Sequence, residues 1–179
     1  FKPNIFKKLS DSTLKKYGDS LDLNSSYIKA HQKHPTGYQT VNTYMERDYK
    51  VPKDFFKYIY TSQLLQRDGM QIAIEAHRRN KPYCMGTLYW QLNDCWPATS
   101  WSAIDYEGRP KILHYATKKL YANFCISTNR VRGQYNIYVI SDSTKDIDAT
   151  LEIKLKTTKG QILLNKTKNI SVKENSSEI

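Results

Sequence analysis

Between Gly86 and Pro97 the chain reads Gly-Thr-Leu-Tyr-Trp-Gln-Leu-Asn-Asp-Cys-Trp-Pro. An indole, two amides and a carboxylate, those of Trp90, Gln91, Asn93 and Asp94, therefore crowd together. This chemistry suits binding. Amides and a carboxylate donate to or accept from ligand hydroxyls, and an indole offers a broad apolar face with a single N–H. Two structural readings stand beside it: such groups at a strand end just as often tie down the following loop, and a tryptophan on a buried strand is more often core. Trp96 and Trp101 are assigned mainly to packing around that loop.

Bond-making chemistry is thinly supplied. Asp94 and Asp105 are the only carboxylates near the segment that could act, and neither has a partner at a fixed spacing. His31 and His34 lie three apart while His77 and His114 stand singly, which is no metal-ligand pattern. Cys84, Cys95 and Cys125 form an odd set without CxxC spacing, so free, buried thiols are expected rather than disulfides or a zinc site. No cofactor is expected. Asn24, Asn165, Asn169 and Asn175 each open an Asn-x-Ser/Thr triplet, a pattern that arises easily in a chain rich in Asn and Ser.

The net charge of +11 raises the question of an anionic partner. Its longest runs are doublets, Lys7-Lys8, Lys15-Lys16, Arg78-Arg79 and Lys118-Lys119, dispersed through helix-like sequence. A solvated, lysine-rich surface fits this better than a nucleic-acid patch, and no nucleic-acid partner is expected. No stretch approaches the ~20 apolar residues of a membrane helix, so no membrane partner is expected either. The 39% hydrophobic and 12% aromatic content is that of a globular chain.

The elements that would position the binding segment follow from periodicity. Residues 1 to 50 carry turn and cap signals, with Ser10 or Asp11 capping a turn around Leu14, and read as short helices joined by loops. From Pro52 to Arg79 apolar residues recur every three or four positions, giving one long helix or two broken near Gly69, stopped by Asn80-Lys81-Pro82. Gly86 to Leu92, short and rich in strand formers, is expected to be a buried strand. A loop through Asp105-Tyr106-Glu107-Gly108 leads to a helix over Lys111 to Tyr121. Helix, strand, loop, helix is the grammar of a parallel sheet or barrel.

After Phe124 the period becomes two, through Tyr135, Ile137 and Val139, then Leu151, Ile153 and Leu155, with Lys159-Gly160 as a turn before Ile162 and Leu164. These are the antiparallel strands of a sandwich. Too few are present to close one, so the second domain is expected to be incomplete.

Several ordered motifs add a resemblance. Ser62-Gln63-Leu64-Leu65-Gln66, Glu75-Ala76-His77-Arg78-Arg79, the Gly86 to Pro97 run, Ser100 to Tyr106, Gly108-Arg109-Pro110-Lys111 and His114-Tyr115 together resemble the end of the catalytic barrel of glycoside hydrolase family 2, most closely its β-mannosidase branch. The resemblance implies an α/β fold: residues 1–123 as the C-terminal part of a (β/α)8 TIM barrel, residues 124–179 as the first strands of an immunoglobulin-like β-sandwich. It implies a retaining, exo-acting hydrolase that releases terminal β-linked mannose, with a carbohydrate as its partner. Trp90 would then form part of the pocket for the terminal sugar, with Gln91, Asn93 and Asp94 as candidates to meet its hydroxyls. Glu75, Arg78 and Arg79 are expected in a helix-surface ion pair or a clamp on barrel packing.

The resemblance also implies what is absent. The family's acid/base glutamate follows an asparagine and its nucleophile lies in a Ser-Glu-aromatic-Gly type motif; neither occurs here. Both catalytic carboxylates are expected outside the chain, the nucleophile upstream of Phe1, so no residue is assigned a catalytic role. The alternatives are another family 2 glycosidase, of β-galactosidase or β-glucuronidase type, and a non-catalytic carbohydrate-binding module. Tyr135 and Tyr138 have opposite parity on a strand, which weakens an aromatic row of the kind such a module needs. Oligomeric state and compartment are not legible, although a periplasmic, extracellular or lysosomal setting would suit the activity.

Overall fold

The computed structural model describes residues 23–179; the cap expected at Ser10 or Asp11 lies outside them. Short helices open the described chain. In α1 (Ser26–His31) the Ser25 hydroxyl accepts the Ile28 N–H at 3.3 Å, satisfying one of the donors that a helix start leaves over. α2 (Gly37–Asp48) follows. α3 (Phe55–Arg79) starts where the Asp54 carboxylate accepts the Lys57 N–H at 2.9 Å, and it runs through Gly69 as one helix. α4 (Ile112–Leu120) buries Leu113, Thr117 and Leu120, spaced four and three apart, as an amphipathic helix must.

The expected strand from Gly86 to Leu92 is not one. Those residues join no ladder and bend at Trp90 and Leu92, and Leu88 is 97% exposed and Trp90 75% exposed. A run of strand formers specifies a pleat, whereas a strand also needs a neighbour to take its N–H and C=O groups. Among the described residues no strand lies alongside 86–92. Pairing begins only at its end, where Ala103 N donates to Gln91 O at 2.9 Å, Ile104 N to Leu92 O at 2.8 Å, and Asp94 N to Ile104 O at 3.2 Å. The peptide bonds Lys81–Pro82 and Trp90–Gln91 are cis.

The period-two segments do form strands. β1 (Phe124–Val131) and β2 (Gln134–Ser141) make an antiparallel hairpin, in register from Phe124 opposite Ser141 to Val131 opposite Gln134. Its two-residue turn, Arg132-Gly133, has both φ angles positive, the backbone twist that a tight hairpin requires. β3 (Ile147–Lys156) and β4 (Ile162–Val172) form a second antiparallel ribbon, and β5 (Ser177–Glu178) adds to the free edge of β2. Tyr135 and Tyr138 fall on opposite faces of β2, as their parity requires.

The chain divides into two compact units. One comprises, among described residues, 23–72 and Leu88–Thr117; the other comprises Ala73–Thr87 and Lys118–Ile179. In the first, Met45, Tyr58, Ala103 and Leu113 are buried, and Tyr58 donates to Asn42 Oδ1 at 2.5 Å. In the second, Ile74, Leu120, Ile140 and Val172 are buried. There the Arg78 guanidinium donates to the carbonyls of Leu120 and Ala122 and pairs with Asp142 at 2.8 Å. Lys81 donates to the same carboxylate, to Ser141 O at 2.8 Å and to Asn175 Oδ1 at 2.9 Å. Glu75 and Arg79 pair at 3.7 Å and share the Ser127 hydroxyl, which donates to Glu75 at 2.6 Å. The helix-surface ion pair expected at Glu75 is therefore present, while Arg78 clamps carbonyls and a carboxylate next to the strands.

The three cysteines are free, but none of them is fully buried, contrary to expectation. Cys95 is exposed because it sits in the loop after Asp94, and Cys84 and Cys125 are half-buried. Burial pushes the Cys125 thiol up. Among the described residues no helix is long and apolar enough to cross a membrane.

Candidate functional site

The loop from Leu88 to Pro110 is built around one carboxylate. Asp94 is 5% exposed. The Ser100 hydroxyl donates to its Oδ1 at 2.5 Å, the Ser102 hydroxyl donates to its Oδ2 at 2.6 Å, and Gln91 Nε2 approaches Oδ1 at 3.4 Å. Lys111 Nζ donates to the Ser102 hydroxyl at 2.7 Å and lies 3.5 Å from Asp94 Oδ2. Burial pulls the Lys111 ammonium down from its ordinary value, and Asp94 opposes that shift. A buried charge is tolerated only when paired and hydrogen-bonded, and this one is both.

Asp105 is spent in the same way. Its carboxylate accepts the N–H groups of Glu107 and Arg109, both at 2.9 Å, and pairs with Arg109 Nε at 2.7 Å. Gly108, at φ +80°, completes that turn. The two carboxylates named as local candidates for chemistry thus both fasten their own loop. Neither is left free to attack or to shuttle a proton.

The aromatic groups behave differently. Trp90 and Trp101 are exposed, Trp101 by 58%. The Trp101 carbonyl accepts from Gln66 Nε2 at 2.7 Å, which anchors its backbone while the indole stays outside, edge-on to His34 at 6.3 Å. Trp96 stacks on His31 at 6.0 Å with Lys33 over its ring at 5.5 Å. Trp96 therefore packs, as expected, whereas Trp101 keeps an open face. Asn93 is exposed and its amide donates to Asp94 O at 3.3 Å.

The four candidate binding residues are thus contiguous but unequal. Trp90, Gln91 and Asn93 sit on the loop's surface or part-buried, and Asp94 sits inside it. The sequence reading did not identify Ser100, Ser102 and Lys111 as Asp94's partners. The only sequence signal was their place in the ordered run of motifs. Among the described residues no group of three His, Cys, Asp or Glu side chains could hold a metal ion. What the loop presents is an exposed indole face near two amides, held on a buried ionic node.

Comparison with known proteins follows the same outline. Residues 133–179 match the model of the mannosidase Ig/CBM-like domain. The chain is 30% identical over 161 residues to the β-mannosidase of Mus musculus, covering 82% of this chain and 18% of that protein. It is 28% identical over 146 residues to β-mannosidase B of Emericella nidulans, covering 73% and 17% respectively. Against the crystal structure of a β-D-mannosidase from Dictyoglomus thermophilum it superposes with a TM-score of 0.79 at 28% identity, over 94% of this chain and 21% of that one. It therefore spans about a fifth of the length of the relatives it matches. The fold comprises helices followed by antiparallel strands of an Ig-like domain, and the chain is similar to β-mannosidases of glycoside hydrolase family 2.

Proposed function

We propose that this chain is part of a retaining, exo-acting glycoside hydrolase that removes terminal β-linked mannose from oligosaccharides or glycoconjugates. On this reading residues 1–123 are the C-terminal part of a (β/α)8 barrel and residues 124–179 open an Ig-like sandwich. The observation that carries it is Trp90: an indole left 75% exposed on a loop otherwise fastened by the buried Asp94 node, in a chain similar to β-mannosidases. Its face suits the apolar face of a pyranose, where C–H groups meet the π cloud. The amides of Gln91 and Asn93 supply hydrogen bonds to sugar hydroxyls. Asp94, proposed with them as a substrate contact, is placed to act by holding the loop that presents the other three.

Retention of configuration requires two carboxyl groups ~5 Å apart, one a nucleophile and the other an acid and then a base. With Asp94 and Asp105 both committed to their loops, these groups come from outside residues 1–179, and the covalent glycosyl intermediate forms there. Residues 88–110 bind and orient the sugar. No cofactor enters the scheme.

The test is a pair of variants in the longer protein. Trp90→Ala should lower kcat/KM for an aryl β-mannoside by at least about tenfold, with part of the loss in kcat, because contacts that tighten at the transition state appear in turnover. Trp101→Ala should change it far less. Equal, small effects for both substitutions would mean that Trp90 has no part in binding the reacting sugar.

A further inference from the structure

Of the four Asn-x-Ser/Thr triplets, two lie on β4 in a setting that the sequence alone does not reveal. β3 and β4 pair so that Thr150 stands opposite Asn169 and Lys154 opposite Asn165. Residues directly opposite each other share a face and alternate residues share it too. One face of the ribbon therefore carries Asp148, Thr150, Glu152 and Lys154 with Asn165, Thr167, Asn169 and Ser171, all polar and all exposed. The other carries Ile147, Leu151, Ile153, Ile170 and Val172, half-buried or buried, together with the exposed Ala149, Leu155, Leu164, Lys166 and Lys168. Both acceptor asparagines, and both hydroxyl residues of their triplets, thus share the solvent face, about 13 Å apart along the strand.

We propose that this polar face of the β3–β4 ribbon bears N-linked glycans, with Asn165 and Asn169 as acceptors. The donor class is a lipid-linked oligosaccharide diphosphate. The bond from the sugar's anomeric carbon to the diphosphate breaks, a bond from that carbon to the asparagine Nδ2 forms, an amide proton passes to a base and the lipid diphosphate leaves. Transfer of this kind occurs on an extended chain, so the native fold must afterwards leave the modified side chain in water. Asn165 meets that condition. So does Asn169, whose Oδ1 accepts from the Thr150 hydroxyl at 3.1 Å and keeps its carbonyl after modification.

Asn175 is exposed as well, but it stands in the turn before β5 at φ +44° rather than on a strand face, and its Oδ1 accepts from Lys81.

Trypsin resolves the sites, since lysines place Asn165, Asn169 and Asn175 on three different peptides. Protein purified from its natural source is digested and treated with peptide:N-glycosidase in heavy-oxygen water, beside an enzyme-free control. The expected result is enzyme-dependent conversion to heavy-oxygen aspartate at Asn165, at Asn169 or at both. Absence of label at both β4 positions overturns the proposal. In a secretory eukaryotic host, Thr167→Ala with Ser171→Ala should abolish the label while leaving both asparagines in place. Persistence of label in that variant would equally overturn it.

Discussion

Asp94 and Lys111 show what single residues contribute here. Removing two charges from water costs several kcal/mol per ion unless each finds partners, and Asp94 finds them in two hydroxyls and an ammonium. Tyr58 is the neutral counterpart. Buried and donating to Asn42, its phenol is pushed up to about 12 by desolvation. The sign follows: below the unfolded value of about 10 the phenol is protonated in both states and its stabilisation is complete. Between about 10 and 12 only the unfolded state ionises, so stability falls as pH rises. Urea unfolding across that window should show the chain losing stability more steeply than Tyr58→Phe; parallel loss in the two would contradict a phenol held neutral by burial. At this scale the sequence was partly legible. Residue types marked Trp90 to Asp94 as a binding segment, but the choice between ligand contact and loop tie for Asp94 needed Ser100, Ser102 and Lys111, which only loop closure brings together.

Elements were legible where their cause is local. α3 and α4 follow apolar periodicity, and β1 to β4 follow alternation with turn residues between them. Residues 86–92 carry the composition of a strand, but what makes a strand is its neighbour, and no neighbour is written in the segment itself. Two glycines test the element assignments. Gly69 lies inside α3 with nothing within 4 Å of an added Cβ, so Gly69→Ala should stabilise by about 0.5–1 kcal/mol through the helix alone. Gly160, at φ +88° in the turn between β3 and β4, should lose about 1–2 kcal/mol as alanine although its surroundings are equally open. Urea midpoints of the two variants should therefore move in opposite directions. A destabilising Gly69→Ala would mean that α3 is not continuous there.

At the scale of the whole molecule, the chain is similar to β-mannosidases and spans about a fifth of their length. Its loop from Leu88 to Pro110 has an open indole face, and its three carboxylates, Asp94, Asp105 and Glu107, are each paired with a cation. Binding without a nucleophile and a placed acid gives little acceleration. The most direct measurement is turnover of a chromogenic β-mannoside by purified residues 1–179, side by side with the longer protein. Hydrolysis by the longer protein and none above background by residues 1–179 is the expected result. Hydrolysis by residues 1–179 at a comparable rate would contradict it, placing the catalytic carboxylates within this chain with Asp94 and Asp105 the first to substitute.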